Sequence, residues 1–172
     1  YAALPYELAL SVEKVKPEIE ADTLVEAHLQ PEELTLDVLT VFNIQKAGVF
    51  RLDLTIPEGY EIRYVRGYSH VEKTGGDVEK SRADVAYRGV PVASNPAFVD
   101  AYHVDATQKS LLAVNLSRKA FGKVALEIQL FKRLREPDLL APTGKQASVA
   151  LGLPRVAGAS VTRQTSRIVV YA

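Results

Sequence analysis

The chain has 172 residues, no net charge and 47% hydrophobic residues, which is the composition of an ordinary globular protein. Cysteine is absent, which excludes disulfides, zinc–thiolate sites and cysteine nucleophiles. The apolar runs are far shorter than the ~20 residues that span a bilayer, so we expect no membrane insertion by this segment. The first residues lack the features of a secretory signal, and the chain begins with Tyr1 instead of Met, which favours an excised domain or a processed product.

The zero net charge hides a gradient along the chain. Residues 1–40 carry nine acidic and two basic residues, whereas residues 117–172 carry ten basic and three acidic residues. A basic end can bind a polyanion, but these basic residues alternate with apolar ones instead of clustering. We therefore expect acidic and basic strands to lie side by side in a sheet, and we expect no nucleic-acid partner.

Alternation of apolar and polar residues with a period of two recurs along the chain and predicts β-strands. It is seen in "YELALSVE", "ELTLDVLTVF", "FRLDLTI", "LLAVNL" and "KVALEIQL", and "SRIVVY" closes the chain as a short apolar strand. Residues 16–29 have Pro17 where a helix would start, but in their second half Val25, Ala27 and Leu29 alternate on one face and fit a strand better. Nine or ten strands are too many for one flat sheet. We therefore predict an all-β fold, an antiparallel β-sandwich of immunoglobulin-like or jelly-roll-like type with little or no helix.

Three glycine-containing segments predict chain reversals between consecutive antiparallel strands. They are "QKAGVF" with Gly48, "IPEGYE" with Gly59, and "NLSRKAFGKV" with Gly122. Residues 1–136 are predicted to form the sandwich, and "REPDLLAPTG" is typical of a linker-like turn. Residues 137–172 then either complete the sandwich with C-terminal strands, which we prefer, or begin a second small β unit.

The segment "IPEGYEIRYVRGYSH" contains three tyrosines at a spacing of four, which places residues on one face of a strand. Because Ile62 lies between Tyr60 and Tyr64, we predict that these two tyrosines pack on the core face. Gly67 is expected to weaken or bulge the strand, which leaves Tyr68 beyond the break and free to be exposed. A platform of all three tyrosines is the less favoured alternative.

The most irregular part of the chain is residues 73–97, and connections of this length are often functional. The candidate binding residues lie in or near it, and they are Tyr68, His70, Tyr87 and Tyr102. Exposed aromatic rings of this kind could bind a glycan or a peptide. The absence of tryptophan counts against a glycan-binding module.

No motif for catalysis or cofactor binding is present. The chain has no nucleophile elbow, no phosphate-binding loop and no dinucleotide fingerprint. The runs "HVEKTGGD" and "DAYHVD" combine histidine with carboxylates, but neither has the spacing of a zinc site or an EF-hand. We therefore predict no catalytic residue, no metal and no cofactor, and a protein that is not an enzyme. A hydrolase whose residues only the fold brings together is the third alternative.

Three longer phrases together resemble a β-sandwich domain found in large uncharacterised bacterial cell-envelope proteins. They are "LTLDVLTVFNIQKAGVFRLDLTIPEGYEIRYVRG", "LLAVNLSRKAFGKVALEIQL" and "REPDLLAPTG", within residues 30–145. The resemblance brings no catalytic residue with it. It implies a structural or interaction module within a longer exported chain, located in the periplasm or outside the cell. Its implied partners are other domains of the same chain or other envelope proteins.

Overall fold

The computed structural model describes residues 13–68, 98–105, 107–108, 110–135 and 148–172. Most of these residues lie in β-strands and none lies in an α-helix, so the prediction of an all-β fold is confirmed. The seven strands are β1 (Glu18–Leu29), β2 (Glu33–Thr55), β3 (Glu61–Tyr68), β4 (Val99–Val104), β5 (Leu111–Arg133), β6 (Arg155–Ala157) and β7 (Val161–Tyr171). Within the described ranges, accordingly, there is no helix with the length and apolar character to cross a membrane.

Hydrogen bonds join the seven strands into one open mixed sheet. Its main path runs β3-β5-β2-β1-β7, with β4 paired to β5 and β6 paired to β2. All pairs are antiparallel except β1 and β7, which run parallel. The sequence predicted antiparallel pairing only. A parallel pair needs a long connection that returns the chain to the same end of the sheet, and the whole of β2 to β6 lies between β1 and β7.

Strands β2 and β5 have 23 residues each and pair with one another from end to end. Their ladder is irregular on both sides of the central pair, Val49 and Ala120. On one side, residues 45–48 of β2 lie opposite Phe121 alone; on the other, residues 116–119 of β5 lie opposite Phe50 alone. Each strand therefore carries one bulge, and the two bulges are adjacent in space.

The reversals predicted at Gly48 and Gly122 are therefore wrong. The extra residues are absorbed by bulges instead. Lys46 within the first bulge and Gly122, which pairs with Ile44 beside it, adopt left-handed backbone conformations, with φ of 64° and 74°. Beyond the bulges the two strands remain paired with each other. The third predicted turn is confirmed, because β2 ends before Pro57, Gly59 has a φ of 82°, and the Tyr60 N–H donates to the Pro57 carbonyl at 3.4 Å. The strands that it joins, β2 and β3, both pair with β5 and not with each other, so the predicted antiparallel pairing of these consecutive strands is wrong.

The β2–β5 ribbon folds back on itself. Thr55 at the end of β2 pairs with Leu111, whereas Glu61, six residues later, pairs with Phe131. Leu111 and Phe131 would be about 66 Å apart if β5 were straight. The six residues from Thr55 to Glu61 span about 22 Å at most, so the two ends of β5 must lie much closer together. We place the bend at the paired bulges, because bulged strands bend.

One hydrophobic core lies between the two halves of this folded ribbon, which makes the fold sandwich-like, as predicted. A single cluster of buried residues includes both halves of β2 and both halves of β5. Its largest fully buried side chains are Phe42, Phe98, Leu36, Ile44, Leu52, Leu54, Leu112, Leu126, Ile128, Leu130, Val25 and Val38. The buried polar residues of the described chain are Thr23 and Thr40, and their hydroxyls satisfy each other at 3.1 Å across β1 and β2.

Gly67 allows β3 and β4 to approach closely inside this core. A Cβ atom at position 67 would lie 2.7 Å from Cγ2 of Val99 and 2.8 Å from Cδ1 of Phe98. Phe98 is fully buried and Val99 is partly buried against the core, so a methyl group at position 67 would have to displace packed side chains. The predicted break at Gly67 does not occur, since β3 continues to Tyr68.

As expected, strand pairing places acidic and basic segments from opposite ends of the chain side by side. The acidic β1 lies beside the basic β7, with Glu20 directly opposite Arg163 and the Thr165 hydroxyl donating to the Asp22 carboxylate. Opposite charges are thus neighbours in the sheet although they lie at opposite ends of the chain.

Candidate binding surfaces

Two of the four predicted binding residues lie in the described part of the chain. Tyr68 is the last residue of β3 and is half-buried, and Tyr102 lies on β4 with 42% of its surface exposed. His70 and Tyr87 lie outside the described residues, as does the segment 73–97.

A bulge in β3 places Tyr64 on the face opposite to the one predicted. Ile62 pairs with the buried Leu130, but the register shifts at Arg63, so that Tyr64 pairs with Gln129. The prediction that Tyr64 packs with Ile62 on the core face is therefore wrong. Tyr60, in contrast, packs against the core as predicted.

Tyr64 and Tyr68 meet at a single carboxylate on the outer face of the sheet. The Tyr64 hydroxyl donates to Oε1 of Glu127 at 2.8 Å, and the Tyr68 hydroxyl donates to Oε2 of the same side chain. Burial, followed by this hydrogen bond and the negative charge of Glu127, raises the pKa of both phenols to about 12. The guanidinium of Arg66 lies 4.4 Å from the Tyr64 ring centroid and covers that ring. We call Tyr64, Arg66, Tyr68 and Glu127 the tyrosine cluster.

A second group of polar contacts continues across the same face. Gln129 donates to Asp37 at 2.6 Å, and Nε2 of His28 lies 3.5 Å from the other oxygen of Asp37. The His28 ring stacks on Tyr171 at 4.8 Å, with an angle of 9° between the planes. These contacts connect β5, β2, β1 and β7, so the outer face is held together by polar side chains along its width.

The two carboxylates of this face already contact neighbouring side chains. Both carboxylate oxygens of Glu127 accept hydrogen bonds from tyrosine hydroxyls. One oxygen of Asp37 accepts a hydrogen bond from Gln129, and the other lies beside His28. Of the residues that the structure describes, no three histidines, aspartates or glutamates are grouped so that they could hold a metal. In the run "DAYHVD", one oxygen of the Asp105 carboxylate accepts hydrogen bonds from the backbone N–H groups of Gln108 at 2.8 Å and Thr107 at 2.7 Å. These two hydrogen bonds lower the pKa of Asp105.

Strand β7 presents a second surface of a different kind. It is the outermost strand on its side of the described sheet and has β1 as its single strand partner there. Four consecutive apolar or aromatic side chains near its end are between 37% and 58% exposed; they are Ile168, Val169, Val170 and Tyr171. An exposed edge with apolar side chains is a template for pairing with another strand.

The fold defines an all-β protein built on one long folded ribbon, with a polar tyrosine face and an apolar edge as its candidate surfaces. Comparison with known family models and with curated proteins finds no match. The chain resembles two solved structures of a mutant of an M1 zinc metallopeptidase from Deinococcus radiodurans, the second of which is described as bound to a Tyr-Ser-Ala substrate. Both likenesses have 12% sequence identity and a TM-score of 0.38, and cover 68% and 70% of this chain. The chain spans about a fifth of those proteins, 20% and 22%.

Sequence reasoning missed the tyrosine cluster and the β7 edge for different reasons. The β3 bulge does leave a signal, because Ile62 and Val65 both pack against the core but are three residues apart, a spacing that strict alternation cannot place on one face. The contact of Glu127 with the two tyrosines leaves no signal in the sequence, because it depends on the pairing of β3 with β5. The edge position of β7 follows from the strand order of the whole sheet.

Proposed function

We propose that this chain is a non-catalytic structural and interaction module of a larger exported protein of the cell envelope, located in the periplasm or outside the cell. The observation that carries the proposal is the exposed apolar edge of β7. In stable proteins such a strand edge is normally covered by another segment or protected from pairing by charged side chains. In β7, by contrast, the three consecutive apolar residues Ile168, Val169 and Val170 are exposed. The proposed role of β7 is to receive a strand from outside this module.

The proposed occupant of the β7 edge is an extended acidic and apolar segment of an adjoining domain of the same chain. Strand β7 carries Arg163 and Arg167 and no acidic residue. Its existing neighbour, β1, alternates acidic with apolar residues and so complements it in charge. A segment of the same character would complement the other edge equally well. The immunoglobulin-like or jelly-roll-like strand order predicted from the sequence would belong to the module completed in this way.

Hydrogen–deuterium exchange tests this role by comparing the isolated chain with the full natural protein. In an edge strand every second amide points away from the neighbouring strand, so in the isolated chain we expect half of the β7 amides to exchange rapidly. In the full protein we expect the same amides to be protected by at least tenfold. Equal exchange in the two samples, or a natural protein that carries no further domain, would contradict the proposal.

A charged substitution at the edge provides the matched variant for this experiment. Val170→Lys places a charge in the proposed interface, and Val104→Lys makes the same change on the exposed part of β4. In the full protein, we expect Val170→Lys to abolish the additional protection of β7 and Val104→Lys to leave it intact. An equal effect of both variants would show that the protection does not come from strand pairing at β7.

A carbohydrate- or peptide-binding module is the alternative function, and the tyrosine cluster is the observation that favours it. Tyr64 and Tyr68 place two rings, one of them covered by Arg66, on the solvent side of the sheet. Binding of cell-wall fragments or peptides that weakens at least tenfold in Tyr68→Ala, and not in Tyr102→Ala, would support this site. Absence of any signal in a screen of glycans and peptides would remove it.

A further inference from the structure

Two phenylalanines at the bend of the β2–β5 ribbon are exposed and lie outside the hydrophobic core. Phe121 and Phe50 are 64% and 60% exposed, the two largest values among the large hydrophobic side chains of the described chain. Each lies next to a residue of the central pair, Val49 and Ala120, that packs against the core. Because side chains alternate along a strand, both phenylalanines point away from the core. Their Cα atoms are at most about 13 Å apart, since only Val49 and Ala120 separate them.

A third exposed apolar residue reaches the same end of the molecule. Val15 is 54% exposed and lies three residues before Glu18, which pairs with Gln45 in the first bulge. Three residues of chain span about 11 Å at most, so Val15 lies near the bend. The three apolar side chains therefore belong to one end of the protein, although they come from three different segments.

Exposed cations lie near these three side chains along the chain. Lys14 and Lys16 flank Val15, and Arg118, Lys119 and Lys123 lie beside Phe121 on β5. The acidic residues within three positions of these side chains are Glu13, Glu18 and Asp53. The carboxylates of Glu18 and Asp53 are paired with Lys46 and Arg51. Basic groups thus outnumber acidic ones at the bend, whereas the whole chain carries no net charge. We call Val15, Phe50 and Phe121 with these five cations the bend patch.

We propose that the bend patch docks the module on a membrane surface that contains anionic phospholipid. Exposed aromatic and aliphatic side chains ringed by lysine and arginine match the interface between headgroups and acyl chains. The apolar side chains enter this interface, and the cations remain with the anionic headgroups. A nucleic acid would satisfy the charges but would leave three apolar side chains largely in water, so the lipid surface fits the patch better. The docking is peripheral and involves no membrane-spanning element.

Sedimentation with lipid vesicles tests the proposal directly. We expect the chain to bind vesicles of equal parts phosphatidylcholine and phosphatidylglycerol, to bind pure phosphatidylcholine vesicles much more weakly, and to dissociate as salt is raised. Each cation near an anionic surface contributes roughly a fivefold change in affinity. We therefore expect Lys119→Glu with Lys123→Glu to weaken binding at least tenfold. We expect a similar loss for Phe50→Ser with Phe121→Ser.

Two matched control variants separate this patch from general effects of charge or exposed apolar surface. Arg163→Glu with Arg167→Glu makes the same charge change on β7, and Val170→Ser removes an apolar side chain that is 58% exposed there. We expect both controls to bind anionic vesicles like the unmodified chain. Losses as large in the controls as in the patch variants would overturn the proposal, and so would no binding by the unmodified chain.

The absence of tryptophan from the chain allows a second readout that charge alone cannot produce. In Phe121→Trp the new indole is the only one in the protein, and we expect its fluorescence to shift to the blue when anionic vesicles are added. Val170→Trp should show no shift. Binding to duplex DNA as tight as to vesicles, with no blue shift for Phe121→Trp, would assign the patch to nucleic acid and overturn the lipid proposal. These results are independent of the exchange of β7, so the two proposals can fail separately.

Discussion

At the scale of single residues, the tyrosine cluster shows how one carboxylate changes the chemistry of two side chains. Burial and the Glu127 carboxylate favour the protonated form of Tyr64 and Tyr68, because a phenolate beside a carboxylate would add like charge to a partly buried site. The cluster also ties β3 to β5 through side chains, in addition to the backbone ladder. The cluster therefore helps to hold β3 on β5 and is also a candidate binding surface.

The raised pKa values predict that the cluster loses its stabilising effect at high pH. The unfolded chain releases these protons near pH 10, and the folded chain holds them up to pH about 12. The contribution of the pair is therefore complete below pH 10 and decreases as the pH rises toward 12. Urea unfolding measured on both sides of pH 10 should show this decrease in the unmodified chain. It should be smaller in Tyr64→Phe with Tyr68→Phe and unchanged in Tyr102→Phe. An equal decrease in the free energy of unfolding with pH in all three proteins would contradict the raised pKa values of Tyr64 and Tyr68.

At the scale of strands, the packing of β3 against β4 depends on the missing side chain of Gly67. The sequence indicated that this glycine was special, but it predicted a break in the strand. The structure has an unbroken strand end at which Phe98 and Val99 occupy the space of a Cβ atom. A glycine in a strand indicates either a bulge or a close approach by another segment, and sequence alone does not distinguish them.

We expect Gly67→Ala to lower the free energy of unfolding by roughly 1–3 kcal/mol, because the new methyl group must displace side chains in a packed core. Val99→Ala removes the Cγ2 atom that lies closest to that methyl group. In the Val99→Ala background, Gly67→Ala should therefore cost less than in the unmodified chain, as a double-mutant cycle by urea unfolding would show. Strictly additive losses would mean that the two residues do not meet as described.

The strands themselves could be predicted because alternation is a local property of the sequence. The segments around Val25, Leu36 and Leu126 all lie in strands with their apolar residues buried. The bulges could not be predicted in the same way. The segments around Gly48 and Gly122 have the composition of turns. Only the pairing of β2 with β5 shows that each strand passes through a bulge there instead of ending. The tyrosine cluster and the bend patch both depend on such bulges, so neither surface was visible in the sequence.

At the scale of the whole molecule, a single folded ribbon organises the core and both kinds of surface. The two halves of β2 and β5 enclose the buried cluster, while the shorter strands add to the edges. The bend exposes Phe50 and Phe121, and the main path of the sheet ends at β7. Long-range register produces this arrangement, and the short turn between Thr55 and Glu61 enforces it.

The measurement that tests the folded ribbon most directly is a distance between the two ends of β5. Because the chain has no cysteine, Ser110→Cys with Arg133→Cys gives two unique and exposed attachment sites for spin labels. Pulsed electron–electron double resonance should give a backbone separation below about 45 Å, the limit set by the residues that join β2 to β3. A separation near 75 Å, expected for a straight strand of this length, would contradict the folded ribbon and with it the shared core.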